Sequence, residues 1–383
     1  MIEFKKTLYS INHKKDILIW IIEVINYSFW AKIRIKYGQL YGSLITTNYN
    51  IKEGKNIGKS NETDYLTQAI LDAESRVRKQ IRKGYKENIE QLTSNRQDNE
   101  GDNKPMLAQK FKPDKFKYPA LIQPKLNGVR VMVRFKYVDE GLFGKTLRCI
   151  IKSREGVEYT GVKHLNDILI SLVTKNNINP DDIILDGELY CHKMYLQDIR
   201  SACVKENIDS NKIQLWLFDI ASDNSQHERI KILQDIYKVF SYSHKNNIVL
   251  TPTHEIYSDD MALIAAEEYI KIGYEGAMLR DKDATYQYGK RSRYLVKIKK
   301  VKYDTFKIID VIPTDKDMYA GKPIALFVCK NDINDLTFVV TPAKSKADRS
   351  IILDHKEEYI GKYITVSYFE RTKDGIPFHA NGI

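Results

Sequence analysis

Residues 119–135 read PALIQPKLNGVRVMVRF, and the reading of the chain turns on the six from Lys125 to Arg130, KLNGVR. A lysine, an Asn127-Gly128 pair and Arg130 stand between two apolar runs, Ala120 to Ile122 and Val131 to Phe135. Asn-Gly between alternating apolar residues is a strong hairpin signal, because both residues accept the positive φ of a tight turn. The plainest expectation is a turn between two strands with a cation on either side of it. The order of the downstream segments raises the stretch above an ordinary hairpin. They are Ser153-Arg154-Glu155-Gly156, LDGELY (Leu185 to Tyr190), LWLFDI (Leu215 to Ile220), EGAMLRD (Glu275 to Asp281) and LVKIKK (Leu295 to Lys300). Each alone has a plain structural explanation: a turn entering a strand, a buried strand, an edge strand protected by lysines.

Around this series, 383 residues exceed one average domain and point to two or three. A net charge of +11 favours a polyanionic partner, nucleic acid first. Cys149, Cys191, Cys203 and Cys329 form no Cys-x-x-Cys pair, which argues against a zinc site or a disulfide framework and for a reducing intracellular compartment. The apolar run Ile17 to Ile22 stops at Glu23, far short of the roughly 20 residues a membrane span needs. No secretory pattern is expected.

An α+β fold class with three domains is expected. Residues 1–88 carry two strand-like stretches, DILIWIIEVI and FWAKIRIKYGQLYGSLITT, and then a helix from Thr63 with apolar residues at helical spacing. Asn61 or Thr63 would cap that helix and Gly84 would close it. This segment holds 16 Lys and Arg against nine Asp and Glu, so most of the positive surplus lies here. Residues 89–104 have only Ile89 and Leu92 as apolar side chains and read as a flexible linker. Residues 105–302 are strand-rich with helical inserts. Residues 303–383 read as short strands divided by polar turns at Thr314 to Asp317 and Asn331 to Asp335, the pattern of a small barrel such as an OB-fold.

Taken in this order, the motifs resemble those of the covalent nucleotidyltransferases, and most closely those of the ATP-dependent DNA ligases. KLNGVR matches the nucleotidyl-lysine motif, and SREG, DGE, LFD, EGAMLR and KIK match the later ones; PMLA at Pro105 to Ala108 is similar to the ligase lead-in. The resemblance covers residues 105–383. It implies an adenylyltransferase domain of two packed, ATP-grasp-like antiparallel sheets with helices, followed by an OB-fold. The N-terminal pattern resembles the WGR domain, a DNA-end-binding module, with Tyr37 and Gln39 where that family carries Trp and Arg.

What the resemblance implies is an enzyme that seals 5′-phosphate/3′-hydroxyl nicks in duplex DNA through a lysyl-AMP and an AMP-capped DNA, using ATP and Mg²⁺, as a monomer. Lys125 would be the nucleophile, with Lys297 and Lys299 at the α-phosphate. Phe218 would stack on adenine, Gln123 would read the base, Arg130 would contact the ribose and Arg154 the 5′-phosphate of the nick. Glu188 would contact the ribose and assist the metal, Glu275 would be the main metal ligand, and Asp186 is a weaker candidate. The residues agree with this chemistry. An amine attacks only when neutral, and neighbouring cations such as Arg130, Lys297 and Lys299 raise its neutral fraction. Period-two spacing puts Lys297 and Lys299 on one face of a strand, and two separated glutamates suit Mg²⁺.

Two departures stand out. Asn127 replaces the aspartate usual in DNA ligases, and the family's final basic motif, which orients pyrophosphate, would lie beyond Ile383: the sequence is truncated, or Arg371, Lys373 or another cation substitutes, or the first step is impaired. Two other readings stay open on the sequence alone: an RNA ligase or mRNA-capping guanylyltransferase, and a catalytically silent protein that binds nicks.

Overall fold

The computed structural model describes residues 1–12, 15–58, 60–81, 83–94, 104–141, 144–238 and 246–383, apart from the side chains of 93–94 and 315–317. The chain divides into two units, Met1–Glu100 and Gly101–Ile383.

The first unit is an antiparallel meander of β1 (Ile2–Ile11), β2 (Ile17–Asn26), β3 (Ala31–Gln39) and β4 (Ile45–Ile51), with helix α1 (Tyr65–Ile81) across one face. Strand alternation sorts the faces. Trp20, Ile22 and Val24 of β2 and Ala31, Ile33 and Ile35 of β3 are buried with Ala69, Ala73 and Val77 of the helix. Lys32, Arg34 and Lys36 therefore project from the opposite face. Strand β1 was not legible in the alternation. The cap of α1 is neither Asn61 nor Thr63: the Asp64 carboxylate accepts the Thr67 amide hydrogen at 2.6 Å, while Thr63 donates to the Gln68 side chain. Gly84, at φ 93°, stands just past the helix end as expected. Of the expected linker, Glu90–Ser94 form a short helix, α2, and residues 95–103 lie outside the described residues.

The second unit contains two five-stranded sheets face to face. One is made of β5 (Leu107–Lys110), β6 (Ala120–Lys125), β12 (His254–Ile256), β13 (Gly276–Asp281) and β14 (Arg291–Lys299), in the order β12-β6-β13-β14-β5. The other is made of β7 (Val129–Asp139), β8 (Lys145–Ser153), β9 (Leu185–Tyr190), β10 (Gln214–Ile220) and β11 (Ile248–Leu250), in the order β11-β10-β9-β7-β8. The sheets are not wholly antiparallel, since the edge pairs β10/β11 and β14/β5 run parallel.

The chain passes between these sheets twice, at residues 126–128 and 251–253. KLNGVR is thus not a hairpin. Lys125 ends a strand of one sheet and Val129 begins a strand of the other, and β6 and β7 do not pair with each other. Helices α3 (Asn166–Lys175), α4 (Leu196–Val204) and α5 (Gln226–Lys238) cover one sheet, with Leu169, Leu172, Ile199 and Leu233 against Val131, Val133, Leu185 and Leu215. Helix α6 (Asp259–Lys271) covers the other through Ala262 and Ala266. Met106, Met132, Ala221, Tyr286 and Leu295 form a smaller apolar cluster of their own.

The last strands, β15 (Lys302–Tyr319), β16 (Lys322–Lys330), β17 (Thr337–Val340), β18 (Tyr363–Tyr368) and β19 (Asn381–Gly382), form a sheet in the order β17-β16-β15-β18-β19 with helix α7 (Lys346–Asp354) against it. A bridge between Thr341 and Asn381 joins its two edges. The polar run Thr314 to Asp317 is no turn but an irregularity inside the long strand β15, whose register with β16 shifts between Thr314 and Met318. Ala320 and Gly321, at φ 48° and 80°, make the turn instead.

Candidate active site

Strand register brings the residues expected at the site together. Gly276 on β13 lies opposite Lys125 on β6 and, on its other side, opposite Lys299 on β14. Two residues along, Met278 lies between Gln123 and Lys297 in the same way. Because side chains alternate, Lys297 and Lys299 share a face with Lys125 and Gln123. Glu275, whose amide donates to the Lys125 carbonyl at 2.9 Å, sends its carboxylate between the Lys125 and Lys299 ammonium groups and bonds to both. The three side chains keep 16–19% of their surface exposed, so the row is reachable. Gly276 must be glycine: its φ is 146°, and a Cβ there would lie 2.1 Å from the Ile298 carbonyl oxygen.

The opposing wall comes from β7, β9 and β10. Glu188 pairs with Arg130 across the strands, and its carboxylate accepts the Gly128 amide hydrogen at 3.1 Å. A Cβ on Gly128 would meet the Leu189 carbonyl oxygen at 2.4 Å and Glu188 Cγ at 2.8 Å. Close approach, not turn geometry, explains this glycine. Arg130 donates to Asp186 through Nε and Nη2 (2.9 and 2.6 Å) and to the Met106 carbonyl at 2.7 Å. Asp186, fully buried, also accepts from the Tyr286 hydroxyl at 2.6 Å. The Phe218 ring lies 5.1 and 5.5 Å from the Arg280 and Arg130 guanidinium carbons. Gln123, Lys125, Arg130, Arg154, Glu188, Phe218 and Lys297 together line a cavity of about 220 Å³. Lys299 and Glu275 flank it through Lys125, and Arg154 also pairs with Glu155 at 2.8 Å. Every residue expected at the site is thus at or beside one hollow.

Its electrostatics are unbalanced in a useful way. Burial pushes Glu188 up to about 7, against the pull of Lys125 and Arg130. Burial also acts on Glu275, but Lys125 and Lys299 outweigh it and hold that carboxyl below its ordinary value. Lys297 is depressed, first by desolvation and then by Lys299 and Lys125. Two carboxylates facing each other across cations, one resisting ionisation, fit a divalent cation that takes one or two carboxylates. The site does not match the expectation for Lys125 in one respect, since its direct charged partner is Glu275 and not a cation.

Below the cavity floor lies a network the motifs did not reveal. Asp219 accepts from Arg229 Nε at 2.8 Å and Arg280 Nη1 at 2.7 Å, and Arg280 Nε reaches the Gln123 amide oxygen at 2.7 Å. The Gln123 amide nitrogen donates to the Phe218 carbonyl (3.1 Å) and to Thr253 Oγ1 (2.9 Å). Arg280 sits inside EGAMLR and Asp219 follows Phe218, so the signal was in the sequence without a role attached. Arg291 also lines the cavity and donates to the Ala108 carbonyl at 2.7 Å.

From the last sheet, Glu370 accepts from the Asn127 amide at 2.7 Å, and Lys299 lies 4.5 Å over the Phe369 ring. Arg371 is held by Asp304 and Asp332 at 3.2 and 2.7 Å, and Lys373 lies 3.7 Å from Asp198. A larger hollow of about 380 Å³, lined by Ile178, Ile220, Ile232 and Ile236 with Asp182 and Asp235, has no lysine or arginine in its wall and is unsuited to phosphates.

The family model described as "ATP dependent DNA ligase domain" matches residues 105–299. A DNA ligase of African swine fever virus is 30% identical over 356 residues, 87% of this chain and 78% of the relative. That of another isolate is 29% identical over 362 residues, 88% and 80% of the two chains. A solved Lig E DNA ligase, 17% identical, superposes with a TM-score of 0.53 over 73% of this chain and 98% of its own, a likeness of fold. No described helix is long and apolar enough to cross a membrane.

Proposed function

Since the chain belongs to the ATP-dependent DNA ligase family, and is an enzyme of that family, we propose that its nick-sealing chemistry runs through the row Lys125, Glu275, Lys299. Lys125 is the nucleophile. The ammonium first gives one proton to Glu275, the carboxylate already bonded to it; the neutral Nζ then attacks the α-phosphorus of ATP, a P–N bond forms as the bond to pyrophosphate breaks, and the second proton leaves the nitrogen for solvent. Lys297 and Lys299 neutralise charge on the phosphates. The AMP then moves to the 5′-phosphate of a nick, which Arg154 contacts, and the 3′-hydroxyl displaces it. Phe218 carries the adenine, Gln123 supports that wall from below, and Arg130 orients the ribose side through Asp186. Glu188 and Glu275 are the residues to hold Mg²⁺, which would supply further charge neutralisation at the phosphate oxygens.

Residues 105–302 act as the adenylyltransferase domain and 303–383 as an OB-fold, a reading supported by the edge-joining bridge at Thr341 and Asn381. Residues 1–88 are a WGR-like DNA-binding domain, supported by their positive surplus. The enzyme works as a monomer on nicked duplex DNA.

The observation that carries the mechanism is Glu275 shared between two lysines. In the test, the chain is incubated with Mg²⁺ and α-labelled ATP or GTP and run on a denaturing gel. Label from ATP that is absent in Lys125→Ala is expected. Label persisting in that variant overturns the nucleophile, and label from GTP alone moves the chemistry to capping.

A further inference from the structure

The β2–β3 turn of the first unit holds an exposed aromatic side chain on a rigid mount. Phe29 is 87% exposed at its tip. Exposure alone is unremarkable for one residue, but the tip is braced on every side. The Ser28 amide donates to Asn26 Oδ1 at 2.9 Å, the Tyr27 amide to the Trp30 carbonyl at 2.9 Å, and the Tyr65 hydroxyl at the start of α1 to the Ser28 carbonyl at 2.8 Å. Beside Phe29, the Tyr27 and Trp30 rings stack at 4.3 Å and 7°. The Lys32 ammonium lies 5.2 and 5.4 Å over the two rings.

The same face continues the charge. Lys32, Arg34 and Lys36 alternate along β3 opposite its buried positions Ala31, Ile33 and Ile35, about 6.6 Å apart at strand rise. The carboxylate beneath them, Glu23, pairs with Lys5 and Arg34, so of these five described side chains four are cations and one is an anion, with Glu3 of β1 near the turn, bonded to Asn26. A row of cations ending in a stiff aromatic tip combines backbone neutralisation with a wedge that can part stacked bases.

We propose that this face binds duplex DNA with Phe29 inserted at a base step. The inference deepens the DNA-binding reading of residues 1–88 and rests on it. The full chain is titrated onto a nicked duplex carrying 2-aminopurine at successive positions, with affinity measured across a salt series. The parent brightens 2-aminopurine at one step. Phe29→Ala is expected to lose that signal and bind about tenfold more weakly with the salt slope unchanged, while Phe29→Leu retains both. Lys32→Ala/Arg34→Ala/Lys36→Ala is expected to flatten the salt slope. A Phe29→Ala variant that matches the parent in affinity and brightening overturns the wedge even if the triple variant binds weakly. An unchanged slope in the triple variant overturns the basic face itself. Near-ultraviolet circular dichroism from the stacked Tyr27 and Trp30 rings is the folding control for all variants.

Discussion

Two charged clusters each draw one member from the same short stretch, EGAMLR, and behave in opposite ways. Asp219, Arg229 and Arg280 are 0–3% exposed, and every bond the two arginines make is to a fixed partner. Lys125, Glu275 and Lys299 keep some exposure, and one carboxylate is divided between two ammonium groups. The first cluster has no valence left for a ligand and serves as scaffold. The second is short of negative charge, which an incoming phosphate supplies. The difference separates an ion network whose every charge is already matched, costly to break, from one that still has room for a charged ligand.

The largest expected effect breaks the scaffold. Asp219→Ala strands two buried guanidinium groups and should cost about 3–5 kcal/mol in urea unfolding; a loss below about 1 kcal/mol would show that water reaches both arginines. Glu275→Gln should leave unfolding nearly unchanged and slow label incorporation about a hundredfold. An equal loss of stability in both variants would erase the distinction. Glu188 sharpens it through pH. Its folded value of about 7 lies above the 4.5 of an unfolded glutamate, so the folded chain retains a proton the unfolded chain releases in between. Stability from this group is full below about 4.5 and lost as pH rises through about 7. The parent's urea midpoint should drop over that range more than that of Glu188→Gln. The smallest effect is at Asn127→Asp, which sets a carboxylate against Glu370 and should slow adenylylation about threefold, with recovery on adding Glu370→Gln.

The residues that line the cavity were legible in the sequence as a group because each stands in a short motif at strand spacing. Lys297 and Lys299 were placed on one face by alternation alone, and β14 carries them there, opposite Met278 and Gly276 of β13. What alternation could not convey was partner choice. Asn127-Gly128 carries the local chemistry of a hairpin, yet the strands it joins pair elsewhere, a fact held by residues 60–150 positions away. Arg130 was expected as a ribose contact; that Asp186 clamps it was not legible, because Asp186 reads in sequence as one more acid of DGE. Thr314 to Asp317 looked like a turn because polar composition does not distinguish a loop from an irregular strand. Asp64 was passed over as a cap for two neighbours that are equally good capping residues.

The two sheets of the second unit are joined by the chain at only two places, and both are tied to Lys125, the proposed nucleophile. One is the link that follows Lys125 itself. The other ends at Thr253, bonded to Gln123 two residues before that lysine. Gly128 is pressed so closely on Leu189 that the first link has no slack. Any breathing of one sheet against the other must therefore displace the Lys125 amine, so its aim follows the separation of the walls, and a nucleotide that spaces them correctly also sets the direction of attack.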